Sequence, residues 1–338
     1  MSNRHLSKPL IGLGFACIGF SHIAGAGDFG EPLYVKNLSP VAGLLGLPSQ
    51  RQANTQAPGS YSVALHSSIA SHYVAETTST EQLNLDGETV RFALEVRYGL
   101  AENWDLQLEV PWLKHSGGNL DSAIDNWHDL WGMSDSGRSR VEHDILDFHY
   151  YDPADRFLLE DDASGIGDIS LSLSHAFFRD DNSVLSVVTG YKFATGGEDE
   201  LLGSGEDDFF LALRFSGAHL GNLPLSWHGQ LGYLYAGSSD VLGARQENNL
   251  WFGGLSMDWA VAQRFSLFAQ LDMHAAPLNS ELTALGDEAI LGSLGGRWRF
   301  AENWALDFSF IEDLQVETGP DITFQASVRY GGGNQRIK

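Results

Sequence analysis

From residue 60 onward, apolar and polar residues alternate with period two, the rhythm of a strand whose successive side chains leave on opposite faces. Between 90 and 98, Val90, Phe92, Leu94, Val96 and Tyr98 interleave with Arg91, Ala93, Glu95 and Arg97. A single strand of this kind fits a soluble sandwich equally well, its greasy face in the core and its ionic face in water. The number and length of the segments decide. Twelve occur, near 60 to 74, 88 to 99, 104 to 113, 166 to 178, 183 to 194, 207 to 216, 225 to 236, 248 to 260, 265 to 274, 289 to 300, 304 to 313 and 321 to 330. Most run for about ten residues, the length a tilted membrane strand needs and roughly twice that of a globular strand. Connections near 100 to 103, 179 to 182, 217 to 224, 261 to 264 and 301 to 303 are short. Those near 75 to 87, 114 to 165, 195 to 206, 237 to 247, 275 to 288 and 314 to 320 are mostly longer. Short turns at one end and long loops at the other mark outer-membrane barrels. The expected fold is all-β: a closed antiparallel up-and-down transmembrane β-barrel of about 12 strands over 60–330, with a tail at 331–338.

Aromatic residues give an independent check. Tyr98, Trp104, Phe177, Phe215, Trp259, Phe265, Trp298, Trp304 and Tyr330 stand on apolar faces beside short turns or the barrel end, and Tyr73, Trp112, Tyr191, Tyr235 and Trp251 lie at the opposite strand ends. Two such bands are expected where amphipathic rings meet lipid headgroups. Ala101-Glu102-Asn103-Trp104 recurs as Ala301-Glu302-Asn303-Trp304, each in a strand, short turn, strand unit, with Arg97 and Arg297 before them. Repeated hairpins build an up-and-down barrel.

With the greasy face toward lipid, the other face carries both signs of charge: Arg91, Glu95, Arg97, Asp105, Glu109, Asp168, Lys192, Arg214, Asp258, Asp272, Arg297, Arg299, Asp307 and Arg329. The expectation is a set of structural salt bridges across a narrow lumen, with a selectivity ring as the sharper alternative. Within the longest loop, Leu120, Ile124, Trp127 and Trp131 recur at helical spacing and Gly132 follows as a stop, which predicts a short extracellular helix that caps the mouth or serves as a lid. His128 stands on that helix, and His115, His143 and His149 share the loop with twelve acidic residues, but no His-x-x-x-His pairing is present. No metal site or cofactor is expected. Residues 27–59 lack period-two order; Pro40 and Pro48 punctuate a compact stretch expected to enter the lumen from the periplasmic end as a partial plug, the alternative being a disordered leader.

Composition sets the compartment. Arg4 and Lys8 precede an apolar run from Leu10 to Ile23 and a small-residue site at Ala24-Gly25-Ala26, so residues 1–26 read as a cleaved signal peptide, with lipidation at Cys17 as the lesser alternative. Its removal takes the only cysteine and leaves 18 basic against 44 acidic residues. A net charge of that sign disfavours nucleic acid. No later apolar run reaches the length of a membrane helix, so a barrel is the one membrane-spanning fold left. The expected location is the outer membrane of a Gram-negative cell. Expected partners are outer-membrane lipid, lipopolysaccharide, the barrel-assembly machinery during biogenesis and a small hydrophobic ligand. Glu160-Asp161-Asp162 and Glu206-Asp207-Asp208 read as solvated surface, or as holders of divalent cations shared with lipopolysaccharide.

Asn37-Leu38-Ser39-Pro40 with Gly46-Leu47-Pro48, Trp127-His128-Asp129-Leu130-Trp131-Gly132 followed by Arg138 and Arg140, and Gly165-Ile166-Gly167-Asp168 together resemble domain-of-unknown-function family 3187, over nearly the whole mature chain. Tyr98-Gly99-Leu100, Thr195-Gly196-Gly197 and Leu202-Gly203-Ser204-Gly205 are more loosely similar to the phenol-degradation meta-pathway outer-membrane proteins. That second resemblance implies passage of aromatic or other hydrophobic compounds. The leading expectation is therefore a channel or transporter for such molecules rather than an enzyme. A structural or adhesive role is one alternative. A membrane-embedded lipase or protease is another, but no Gly-x-Ser-x-Gly is present, and Ser71-His72 and Ser174-His175 are strand neighbours that face opposite sides.

Overall fold

A computed structural model describes residues 30–118, 145–154, 156–220, 223–315 and 317–332. The fourteen candidate charges all lie within it, whereas the expected signal peptide, the Leu120, Ile124, Trp127, His128 and Trp131 helix and the last six residues lie outside the described residues.

The alternating segments form β1 (Tyr61–Thr77), β2 (Gln82–Ala101), β3 (Trp104–Ser116), β7 (Ile169–Arg179), β8 (Ser183–Phe193), β9 (Asp208–Leu220), β10 (Leu223–Tyr235), β11 (Asn249–Ala262), β12 (Phe265–His274), β13 (Ala289–Ala301), β14 (Trp304–Asp313) and β15 (Ile322–Gly332). Each pairs antiparallel with the next, and β15 returns to β1 from Ser71↔Ile322 to Tyr61↔Gly332. The result is a closed twelve-stave barrel among the described residues. Closure satisfies every stave on both sides, the condition for burial of backbone in lipid.

Alternation then sorts the side chains. Leu94, Leu213, Leu231, Leu255, Met257, Leu294, Phe308 and Phe324 are exposed on the outer wall, while their neighbours in sequence are buried, or half-buried at Gly232 and Gly295. At the short-turn end, Trp298, Phe300, Trp304 and Tyr330 form a chain of rings with centroids 4.9–6.3 Å apart. Tyr191, Tyr235 and Trp251 are exposed at the other rim.

The long-loop end departs from expectation. The connection read at 75 to 87 is a short turn between two strands that continue past the ring, β1 to Thr77 and β2 from Gln82. The expected loop at 114 to 165 contains three further strands, β4 (Asp147–Tyr151), β5 (Arg156–Leu159) and β6 (Ala163–Ile166). β4 pairs with Gln82–Asp86 of β2, β5 pairs with β4, and β6 lies along Trp112–His115 of β3. These pieces are too short to show a period by themselves; Phe148, Tyr150, Leu83 and Leu85 are buried because an edge of β2 was free to pair. One helical turn, α1 (Thr283–Gly286), lies in the β12–β13 loop.

Candidate functional site

Residues 30–60 run inside the barrel as a hairpin-shaped excursion. From the short-turn end the chain rises through Leu33, Tyr34 and Val35, all buried, to a 3-10 turn at Ala42–Leu44, then descends to Ser60 and enters β1. The local chemistry explains the reversal. Asn37 Oδ1 accepts the Ser39 amide at 2.9 Å, an Asx turn, and Pro40 follows at a position where a helix cannot continue from above. Ser49 Oγ donates to the Val35 carbonyl (2.7 Å) and Lys36 Nζ to the Leu47 carbonyl (2.6 Å), so the two limbs hold each other.

Rising, the Leu33 amide donates to Gln270 Oε1 (3.0 Å), and the Tyr34 hydroxyl donates to Glu109 (2.9 Å) while its ring stacks on His66 at 3.8 Å. Descending, the Gly46 amide donates to Asp208 (2.7 Å), Gln50 Nε2 to Asp272 (2.8 Å), the Ala53 amide to Ser216 Oγ (2.7 Å) and the Gln56 amide to Asp105 (2.9 Å). At the base, Gly99 sits so close to the entering chain that a Cβ there would overlap the Ala57 carbonyl, and Gly99 and Ser60 pair through their backbones.

The fourteen candidate charges all point inward, and most meet this segment rather than only one another. Glu109 binds Arg91 (2.7 Å) and lies 3.7 Å from Lys36. Arg97 binds Asp105 (2.8 Å) and Glu31 (3.2 Å), and Glu95 pairs with Arg51. Asp307 takes Arg297 and Arg329 at 2.6 Å each, and Arg329 also reaches the Pro32 carbonyl at 3.5 Å. Asp258 accepts the Ser226 amide (3.2 Å), Arg299 is half-buried against Ser266 (3.5 Å), and Asp272 accepts Gln50 and Gln270 (2.8 Å each). Arg214 donates to Gln230 (3.2 Å). Glu31, Tyr34, Lys36 and Arg51 complete these networks from the excursion, and none of the four was singled out from the sequence.

Asp168 gathers two of the glycine motifs. One oxygen accepts the Thr195 (3.0 Å) and Gly196 (2.9 Å) amides; the other accepts the Ser204 amide (3.0 Å) and Lys192 Nζ (2.7 Å). Gly196 is required because a Cβ would overlap the Leu202 carbonyl. Lys192 also donates to the Leu44 carbonyl at the apex (3.1 Å) and lies 3.3 Å from Asp208. One carboxylate thus joins the β8–β9 loop to the top of the excursion. Asp168→Ala leaves the Gly196 and Ser204 amides without an acceptor and is expected to open residues 195–206 to limited proteolysis while the barrel persists; an uncut loop would show that the knot is not what orders it.

The interior changes character toward the long-loop end. Val41, Leu44 and Leu45 of the apex pack with Leu201, Phe210, Leu234, Leu250, Phe252, Leu278, Leu282 and Leu285, under Phe148 and Tyr150 of β4. Glu81 ties the covering loops together: it accepts the Tyr150 hydroxyl (2.8 Å), the Ser280 hydroxyl (2.7 Å) and the Glu281 amide (3.1 Å), with Arg245 at 3.5 Å. Burial alone would raise its pKa, but these donors and the guanidinium together hold it below the ordinary 4.5. A depressed folded pKa contributes stability that is complete above 4.5 and fades as pH falls through the folded value. The protection factors of the amides in residues 278–286 are therefore expected to fall on acidification below about pH 4.5, and Glu81→Gln to remove that dependence.

A family model described as a protein of unknown function, DUF3187, matches residues 9–331. The chain belongs to the DUF3187 family. The match spans the lumenal excursion and the whole ring of this DUF3187 barrel. No curated protein matches the sequence. Among solved structures, the COG4313 outer membrane channel from Pseudomonas putida F1 is similar at a TM-score of 0.54 and 14% identity, covering 83% of the DUF3187 chain and 97% of that one. This likeness is one of fold: an outer-membrane barrel. More remote are the NanC porin (TM-score 0.45, 8% identity, 81% and 99% covered) and the Ralstonia pickettii toluene transporter TbuX (0.40, 9%, 88% and 98%).

Proposed function

We propose that this protein is an outer-membrane channel that admits small hydrophobic compounds, aromatic ones included, with residues 30–60 acting as its gate. The observation that carries the reading is the division of the lumen: a packed apolar cluster around the apex of the excursion at the long-loop end, and below it a charged girdle gripping the excursion. A neutral apolar solute leaving water gains roughly 25 cal/mol per Å² of surface it buries, so these apolar side chains would favour such molecules over ions once the apex of the excursion moves aside. The girdle beneath would deny ions and bulk water a path while the excursion is seated. In this reading the short turns face the periplasm, residues 1–26 direct export, and the exposed belt of Leu and Phe meets lipid.

One Ser-His neighbour pair is not a hydrolase dyad. Ser174 is buried in the lumen, whereas His175 stacks on Trp104 at 4.1 Å on the outer wall, so the pair cannot act together. The test is uptake of labelled toluene and of a medium-chain alkane by a deletion strain and its complemented parent. Faster uptake with the protein present is expected for at least one substrate; equal uptake for both would reject the channel reading.

A further inference from the structure

Inside the ring, a cavity of about 110 Å³ separates the excursion from the wall. That is of the same order as, and somewhat below, the roughly 150 Å³ of a cavity that admits benzene. The ionised side chains around it are nearly all satisfied. Glu109 is held by Arg91 and Asp168 by Lys192, each at 2.7 Å. Each oxygen of Asp272 receives a glutamine amide at 2.8 Å, and Lys36 has the Leu47 carbonyl at 2.6 Å with Glu109 beyond it.

Arg214 is the exception. It borders the cavity and is only 3% exposed, yet its one hydrogen bond is from Nε to Gln230 Oε1 (3.2 Å), and no carboxylate lies within 4.0 Å of it among the described residues. A buried guanidinium without a counter-ion is destabilising, and an apolar residue of similar volume would serve the fold as well or better. The same face of β9 continues through Ala212 to Phe210, roughly 13 Å of strand beyond Arg214. Phe210 meets Phe252 edge-on, with ring centroids 6.1 Å apart, and both border the cavity. A cation at one end and aromatic walls at the other fit a ligand with an anionic head and a ring-sized apolar body. The planar guanidinium matches a carboxylate through two parallel hydrogen bonds.

We propose that Arg214, with Phe210 and Phe252, forms a binding site for a small hydrophobic monocarboxylate, an aromatic acid in the first instance. This rests on the channel reading and adds an anionic class of substrate to the neutral compounds of that reading. Full-length protein in detergent is titrated calorimetrically with benzoate, toluene and inorganic phosphate. Benzoate is expected to bind saturably, toluene at least tenfold more weakly, and phosphate not at all. Arg214→Met should weaken benzoate more than tenfold without lowering the unfolding temperature, because it removes an uncompensated charge, while Arg214→Lys should keep part of the affinity. Toluene binding as tightly as benzoate, phosphate competing with it, or an Arg214→Met variant that binds benzoate normally would each overturn the proposal. Should Arg214→Met fail to fold, the three titrations of the unaltered protein decide alone. Toluene uptake by cells combined with no benzoate binding would reject the acid site and leave the channel standing; absence of uptake and of binding would remove both.

Discussion

Excising residues 30–56 is expected to raise the ion conductance of the reconstituted barrel roughly tenfold or more, because an eight-stranded interior is filled by side chains whereas twelve staves enclose more room than their own side chains occupy. What fills that room is the excursion, with Leu33, Tyr34, Val41, Leu44 and Arg51 each less than 4% exposed. The ring does not depend on it for closure, since β1 pairs with β15 from Tyr61 onward. Several wall charges also keep partners in its absence: Arg91 with Glu109, Arg97 with Asp105, and Asp307 with two arginines. Planar-bilayer recordings check the outcome. A truncated barrel as tight as the intact one would mean that the outer loops, and not the excursion, seal the lumen.

The second large effect concerns Glu109. Its carboxylate receives the Tyr34 hydroxyl and the Arg91 guanidinium and faces the Lys36 ammonium, so it fastens β2, β3 and the rising limb at one point. Glu109→Ala leaves the buried Arg91 guanidinium and the half-buried Lys36 ammonium without their counter-charge and the Tyr34 hydroxyl without an acceptor, a loss on the order of 3–5 kcal/mol for a buried pair. The exposed pair Lys114–Asp162, at 3.1 Å, is the control: Lys114→Ala should change stability by less than about 1 kcal/mol. Urea titrations in micelles measure both. Because the barrel ladder is untouched, the Glu109 variant is also expected to conduct intermittently as the excursion detaches. A Glu109→Ala protein as stable as the Lys114→Ala protein would show that this contact does not hold the excursion.

How far the amino-acid order reveals this arrangement differs from element to element. The staves were legible because each buries one face and exposes the other, and a period of two states that directly. The predicted strand at 265 to 274 and the one at 304 to 313 coincide with β12 and β14 to the residue. The Asp168 motif was visible as a cluster of glycines, although its partners lie 24 to 36 residues away. The apolar cluster at the long-loop end was not anticipated, yet it left a trace: near Phe209-Phe210-Leu211 and Leu250-Trp251-Phe252 the alternation collapses into apolar runs, the sign of a strand with both faces in oil-like surroundings. The strands β4 to β6 left no comparable trace.

Period and composition, which are local properties of the chain, were sufficient for the closed wall, its lipid belt and the inward direction of Arg91, Glu109, Asp307 and the rest. Which inward charge meets which partner was a matter for the folded molecule alone. Arg51 finds Glu95 across 44 residues of chain, and Arg214 has no acid within 4.0 Å among the described residues, because pairing inside a barrel depends on stagger between staves and on the path of a segment with no repeating pattern to announce it.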